Sequence, residues 1–313
     1  MRWLALLLLA ALPARAAEVP APAPAQAPAP APAHAAPFLW EVQGPKARHF
    51  ILGSVHLLPS AAYPLPAAIE QAYGATRALV LEADLSELAA PELQNRMLGA
   101  AREDRPGGLK ARIGKSLYAK LQKRAASLGM PTPVCDDLRA WFCALALELY
   151  PLQQAGFSME HGLDQYFFAR AREDGRPLGG VETAEFQVGL FIGMPEALSK
   201  QLLAATLEES TYTSQTPDEL YRIWRAGDVA ALDRVIREMR QKYPELNQRL
   251  LAERNRAWLP QLVEHFRGEV PHLVVVGAAH MVGPEGLLVL LKNQGLEPKP
   301  AEGVIELAEP PGG

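Results

Sequence analysis

Two histidines in this chain follow a glycine at the same spacing, each directly after an apolar run. Gly53-Ser-Val-His56 closes RHFILGSVH, and Gly277-Ala-Ala-His280 closes PHLVVVGAAH. Glycine allows a sharp turn or a close backbone approach, which sets the imidazole at the rim of a sheet. In open α/β sheets that rim, at the carboxyl ends of the strands, is where ligands bind. Glu82, after Ala-Leu-Val-Leu, and Glu182, after Pro-Leu-Gly-Gly-Val, have the same address. If all four strands run parallel in one sheet, two imidazoles and two carboxylates converge on one cleft. Such a set suits a divalent metal, Zn, Mn or Co, with one carboxylate left to act as a base. A single Gly-x-x-His arises often by chance and a strand-end Glu is usually a solvated boundary residue. The reading therefore rests on repetition and shared placement.

The elements that must position these residues are legible around them. FLWEVQG (38–44) and RHFILGSVH (48–56) form a hairpin across Pro45-Lys46-Ala47. PLPAAIEQAYGAT reads as a helix and RALVLEAD (77–84) as a buried strand, because its apolar residues are unbroken. From Leu85 to about Gly175 the pattern is mostly helical, with breaks at Arg105-Pro-Gly-Gly and Gly129-Met-Pro. RPLGGVETAEF (176–186) is a short strand candidate, and helices then continue to Gly268. Among them Leu246, Leu250, Leu251, Trp258, Leu262 and Phe266 make a long apolar stripe, read as core packing. PHLVVVGAAH is a strand, PEGLLVLLKNQG a helix closed by Gly295, and KPAEGVIELAE a last strand. The expected fold is α/β: a central, mostly parallel sheet with two related strand-GxxH-helix-strand halves and a large helical insertion. Glu306 stands as far after His280 as Glu82 does after His56, which supports duplication of architecture more than a role for Glu306.

Ahead of this domain, taken as residues 38–309, stand two segments of different character. Residues 1–16 read as a secretory signal peptide: Arg2, an apolar run from Trp3 to Leu12, and Ala14-Arg15-Ala16 before Ala17. The run is short for a membrane span. The expected product is exported, periplasmic or extracellular, without stable membrane insertion after cleavage. Residues 17–37 alternate Ala and Pro and read as a stiff polyproline linker in which His34 has no role. Removing Arg2 and Arg15 takes the formal charge of -4 to -6 (-4 - 2 = -6), with no basic stripe, so nucleic acid and anionic membrane are not expected partners. An oxidising compartment permits a disulfide between Cys135 and Cys143. On one helix they would stand about 12 Å apart, out of bridging range. A bond requires Cys135 to precede the helix, and two unbonded cysteines are the favoured expectation.

Five blocks in order resemble the TraB/GumN family: FILGSVHLLP, ALVLEAD, HGLDQYFFARAREDGRPLGGVETAEFQ, ERNRAWLPQL and LVVVGAAHMVGPEGLLVLLKNQG, over roughly 38–295. Its superfamily also holds the Tiki proteases and, more distantly, erythromycin esterases and haem-binding ChaN proteins. The resemblance implies a metal-dependent peptidase acting on a peptide or protein. His56 and His280 would then be metal ligands, with Glu82 and Glu182 ligating or serving as base. It also draws attention to Arg254, which would hold a substrate carboxylate or an oxyanion, and more weakly to Asn255. Asp164 is expected to cap or brace the site, and His161 to be a partly buried helix residue. His49, His265 and His272 carry no motif.

Other chemistries are excluded by what is missing. There is no H-E-x-x-H, no G-x-S-x-G, no Walker A and no Rossmann glycine fingerprint. The alternatives to a metallopeptidase are a metal- or haem-binding protein without catalysis and a metal-independent, esterase-like hydrolase with histidine as base.

Overall fold

The computed structural model describes residues 35–130, 135–212 and 219–302. The signal peptide, nearly all of the linker including His34, and Glu306 lie outside the described residues. The first strand, β1 (Ala35–Gln43), begins ahead of the boundary expected at Phe38. It turns into β2 (Arg48–Ser54), antiparallel, with Leu39 opposite Leu52 and Gln43 opposite Arg48. The hairpin expected across Pro45-Lys46-Ala47 is present.

Six strands make the main sheet: β1, β2, β4 (Ala78–Leu81), β6 (Leu178–Gly180), β7 (His272–Gly277) and β8 (Pro298–Glu302). Their order across the sheet is β6-β4-β7-β2-β1-β8. β6, β4, β7 and β2 run parallel, and β1 is antiparallel to both β2 and β8. The two Gly-x-x-His halves are interleaved: β7 enters between β2 and β4 and pairs with both. Phe50, Ile51 and Leu52 of β2 and Leu273 through Val276 of β7 are wholly inaccessible. An inner strand is covered on both faces, so an unbroken apolar run is what it requires.

The crossover from β2 to β4 passes through helix α1 (Ala67–Gly74). Between β4 and β7 lies the helical insertion, which includes α2 (Ala140–Gln154), α3 (Leu163–Glu173), α4 (Ala184–Ile192) and α5 (Glu253–Arg267). Helix α6 (Leu287–Asn293) follows β7. The stripe from Leu246 to Phe266 is buried as expected. A separate ribbon pairs β3 (Leu58–Pro59) with β5 (Phe157–Ser158), tying the residues after His56 to those before α3.

The cysteines correct one expectation. Cys135 and Cys143 are bonded, with 5.6 Å between their Cα atoms. The helix carrying Cys143 starts only at Ala140, so Cys135 stands in the turn ahead of it and the spacing along a helix does not apply. Among the described residues no helix is long and apolar enough to cross a membrane.

Candidate active site

The register of the parallel strands puts the four expected residues at one end of the sheet. Ser54 lies beside Gly277 and Leu81 beside Gly180, so His56, Glu82, Glu182 and His280 follow the carboxyl ends of four adjacent strands. Gly53 is needed there: a Cβ would lie 3.1 Å from the Ala278 Cα and 3.2 Å from the Phe38 Cβ. The absent side chain lets the two Gly-x-x-His turns lie against each other.

Arg254 occupies the middle. Its Nε donates to Glu182 Oε2 at 3.1 Å, and its Nη2 donates to Glu182 Oε1 and to Glu82 Oε2, both at 2.6 Å. Nη1 donates to the Leu250 carbonyl at 3.2 Å and to His280 Nε2 at 3.1 Å. A guanidinium has five N–H donors, and all five are used within the protein. The side chain is 1% exposed, and Trp258 stacks beneath it, 4.7 Å from Arg254 Cζ to the ring centroid. The surrounding carboxylates raise its pKa against the opposing pull of burial. Arg254 therefore has no donor left for a substrate carboxylate or an oxyanion, and it serves as a positioning residue.

A π-helical turn, Gln248–Ala252, runs directly into α5 just before Arg254. Arg254 and Asn255 open the buried face of α5, which continues through Trp258, Leu262 and Phe266 at helical spacing. Asn255 orients the second histidine: His280 Nδ1 donates to Asn255 Oδ1 at 2.6 Å, while Asn255 Nδ2 donates to the carbonyls of His280 and Glu285. This fixes the tautomer, leaving Nε2 to accept from Arg254. Burial, then the charges of Arg254 and His56, hold the His280 pKa well below its ordinary value.

The two carboxylates are equally engaged. Glu82 Oε1 accepts the Gly277 backbone N–H at 2.7 Å, and its Oε2 also accepts from Gln187 on α4 at 3.0 Å. Glu182 Oε2 also accepts from Trp258 Nε1 at 2.9 Å, and burial raises the Glu182 pKa despite Arg254. The fit of the divalent ion implied by the resemblance follows from where these lone pairs point. Glu82, Glu182 and His280 all face the guanidinium, which supplies the positive charge an ion would bring. Among the described residues no group of three or more His, Cys, Asp or Glu side chains is placed to hold a metal. As folded, the four residues do not fit one.

His56 is different. Its Nδ1 donates to Asp164 Oδ2 at 2.7 Å, and Ser54 Oγ donates to both oxygens of the same carboxylate. Asp164 thus braces the site, as its position at the start of α3 implied. Gly162 allows this: a Cβ there would lie 2.2 Å from the His56 carbonyl oxygen. Leu163 N–H also donates to the Val55 carbonyl at 3.2 Å, pinning the helix start beneath the motif. Burial would lower the His56 pKa, but the charge and hydrogen bond of Asp164, with Glu82 behind them, outweigh it and raise the value to about 9. Its Nε2 is buried and has no hydrogen-bond partner among the described residues.

The His56 residue also lines a cavity of about 690 Å³ along one side of α3, with Asp164, Tyr166, Arg170 and Glu173 among its walls. Of the five residues expected to do chemistry, only His56 lines it; Glu82, Glu182, Arg254 and His280 lie outside its lining. Sequence reasoning missed Ser54, Gly162 and Gln187 and assigned Trp258 to the core alone. Ser54 lies inside the first motif, and Trp258 is one helical turn from Arg254, which were the available signals. His161 is at the edge of this region, with its carbonyl accepting from Tyr63 at 2.8 Å. His49, His265 and His272 cluster at the opposite end of β2 and β7.

Comparison with known proteins agrees with the order of the motifs. The uncharacterized protein YbaP of Escherichia coli (strain K12) is 24% identical over 249 residues, covering 79% of this chain and 89% of that protein. The uncharacterized protein YbaP of Shigella flexneri is similar to the same extent. No solved structure matches the chain. The TraB/PrgY/gumN family profile matches residues 38–300, most of the chain and all four strand ends, and the chain belongs to that family.

Proposed function

We propose that this chain is a hydrolase, a peptidase by substrate class, in which the His56–Asp164 pair is the acid–base group. One observation carries the reading: an imidazole whose Nδ1 is held by a carboxylate and whose Nε2 has no partner among the described residues, on a side chain that lines a cavity. Neutral His56 takes a proton from water at Nε2 as the water oxygen attacks the substrate carbonyl. The imidazolium then returns the proton to the departing amine, and the peptide carbon–nitrogen bond breaks. Asp164 stabilises the imidazolium and keeps the ring in register. Arg254, Glu82, Glu182 and His280 form a hydrogen-bonded plug behind the reacting group and hold the strand ends together.

The protein is proposed to act outside the cytoplasm. The disulfide fits an oxidising compartment, as does the leader-like sequence at residues 1–16. Fractionation of cells producing the full chain tests this, with a cytoplasmic location rejecting it.

The decisive experiment is turnover of a peptide library by the purified wild type and His56→Gln, before and after chelator treatment. Loss of hydrolysis in His56→Gln with indifference to chelator supports the reading. Hydrolysis abolished by chelator and restored by Zn, Mn or Co would instead favour the metallopeptidase. Haem binding without hydrolysis would favour a carrier.

A further inference from the structure

Three histidines outside the motifs meet at the end of the sheet away from the candidate site. His49 is the second residue of β2, His272 opens β7, and His265 lies in the last turn of α5. The His49 ring stacks on that of His272 with 5.8 Å between centroids, and His272 meets His265 at 4.6 Å. Phe266 closes edge-on over His49 at 5.4 Å. His49 is wholly inaccessible, while the other two are half-buried. Gly44, in the hairpin turn, seals the cluster: a Cβ there would lie 2.0 Å from the Phe266 carbonyl oxygen and 3.1 Å from His49 Nε2.

The hydrogen bonding fixes the protonation state of the central ring. The His272 backbone N–H donates to His49 Nδ1 at 3.2 Å, so Nδ1 offers its lone pair and the ring proton sits on Nε2. Neither that Nε2 nor His272 Nδ1 has a partner among the described residues. A second proton on His49 would set one N–H against another, break the bond to β7 and leave a buried cation. Burial, then the charges of His272 and His265, lower the His49 pKa to about 4. Burial lowers His265 and His272 as well, with Glu264 pulling His265 the other way. The remaining charges around the cluster are engaged elsewhere or exposed. Lys46 of the hairpin turn pairs with Glu269 at 3.0 Å, and Arg48 lies 3.8 Å from Glu41 of β1. Arg267 donates to the Gln294 carbonyl, and Arg77, ahead of β4, is exposed.

We propose that this cluster is an acid-sensitive latch, which in its uncharged form clamps the starts of β2 and β7 to the C-terminal turn of α5 and on protonation of His49 releases that end while the rest of the sheet stays paired. It is independent of the hydrolase reading. The helix it releases, α5, carries Arg254 at its other end. Because the folded pKa of His49 is lowered, its contribution is fully present above pH 6.5 and is lost as pH falls through about 4.

Amide hydrogen exchange of the purified protein is the test, with the His272 N–H as reporter. The Leu79 N–H, bonded to the Pro177 carbonyl at 3.0 Å in the same sheet, is the reference. In the wild type, protection of His272 relative to Leu79, corrected for intrinsic rates, should fall by at least about tenfold from pH 7 to pH 4. In His49→Asn the side-chain oxygen stands near the Nδ1 position and accepts the same N–H without taking a proton, so the ratio should hold within about twofold. An NMR titration of the wild-type His49 ring, which needs no variant, should share its midpoint with the loss of protection. A wild-type ratio that stays constant, an equal fall in His49→Asn, or a His49 ring that titrates near pH 6.5 with the amide still protected overturns the proposal.

Discussion

The Nδ1 of His56 lies 2.7 Å from Oδ2 of Asp164, although the two residues are 108 positions apart and belong to different elements. The contact joins the first Gly-x-x-His motif to the helix at the cavity, and it makes His56 the more basic of the two motif histidines. His280, with Asn255 as its partner in the equivalent position, is driven the other way.

Replacing the carboxylate should therefore move a rate profile. With His56 as base, kcat/KM of the wild type rises with pH and levels near the His56 pKa of about 9. Asp164→Asn should shift that limb to lower pH by at least about one unit, and His56→Gln should lower the rate by on the order of 10²- to 10⁴-fold. An unmoved limb in Asp164→Asn excludes His56 as the titrating base.

The same pair should be visible in stability. The folded pKa of His56 is raised, so its contribution is fully present below pH 6.5 and is lost as pH rises through about 9. The shift corresponds to roughly 3 kcal/mol, taking about 1.4 kcal/mol per unit. His280, with its pKa lowered, works on the acid side: its contribution is present above pH 6.5 and is lost as pH falls. Thermal melting from pH 5 to pH 10 should show an alkaline decline in the wild type that His56→Gln flattens. An identical decline in both proteins would assign it to other groups.

Arg254 should behave as a structural cation. Arg254→Met leaves Glu82 and Glu182 buried without their partner and should cost about 3–5 kcal/mol. Adding Glu82→Gln and Glu182→Gln removes the stranded charges and should recover a substantial part of that loss. Denaturant unfolding of the single and triple variants measures it. A single variant as stable as the wild type would mean the guanidinium is dispensable to the plug.

Gly162→Ala tests the seating of α3. The new Cβ would fall 2.2 Å from the His56 carbonyl oxygen, so the helix start must retreat and take Asp164 with it. A displacement of about 1 Å near reacting groups costs on the order of 10²-fold, and the loss should appear in kcat. Gly189→Ala, where nothing lies within 4 Å of the added carbon, is the control and should be silent. Equal activity of the two variants would refute the seating argument.

The strand ends were legible because an inner strand requires an unbroken apolar run. The residue that breaks such a run is therefore conspicuous, as His56, Glu82 and His280 are, whereas Glu182 follows the short, exposed edge strand β6 and was found by its strand-end position after a glycine pair. The role of Arg254 was not legible, because the carboxylates that meet it come from strands distant in sequence, although its helical spacing from Trp258, Leu262 and Phe266 puts it on the buried face. Asp164 reads as a helix-start residue by type and position, and its partner is fixed by Gly162, through a contact between distant parts of the chain that no local pattern encodes. The disulfide escaped for a similar reason, since the decisive fact is where a helix starts, at Ala140. The cavity walls combine α3 with His56, Leu85 and Met159 from other parts of the chain, a gathering that no local pattern encodes.

The insertion of β7 between β2 and β4 has a consequence for how the molecule comes into being. Two of the central strands are made early, β4 ending at Leu81, yet the strand that joins them begins at His272. Until that late segment is available, β2 and β4 have no strand between them. Pairing so distant in sequence is slow to form and prone to misassembly on the way. The centre of the sheet therefore cannot be completed before His272–Gly277 is there to pair.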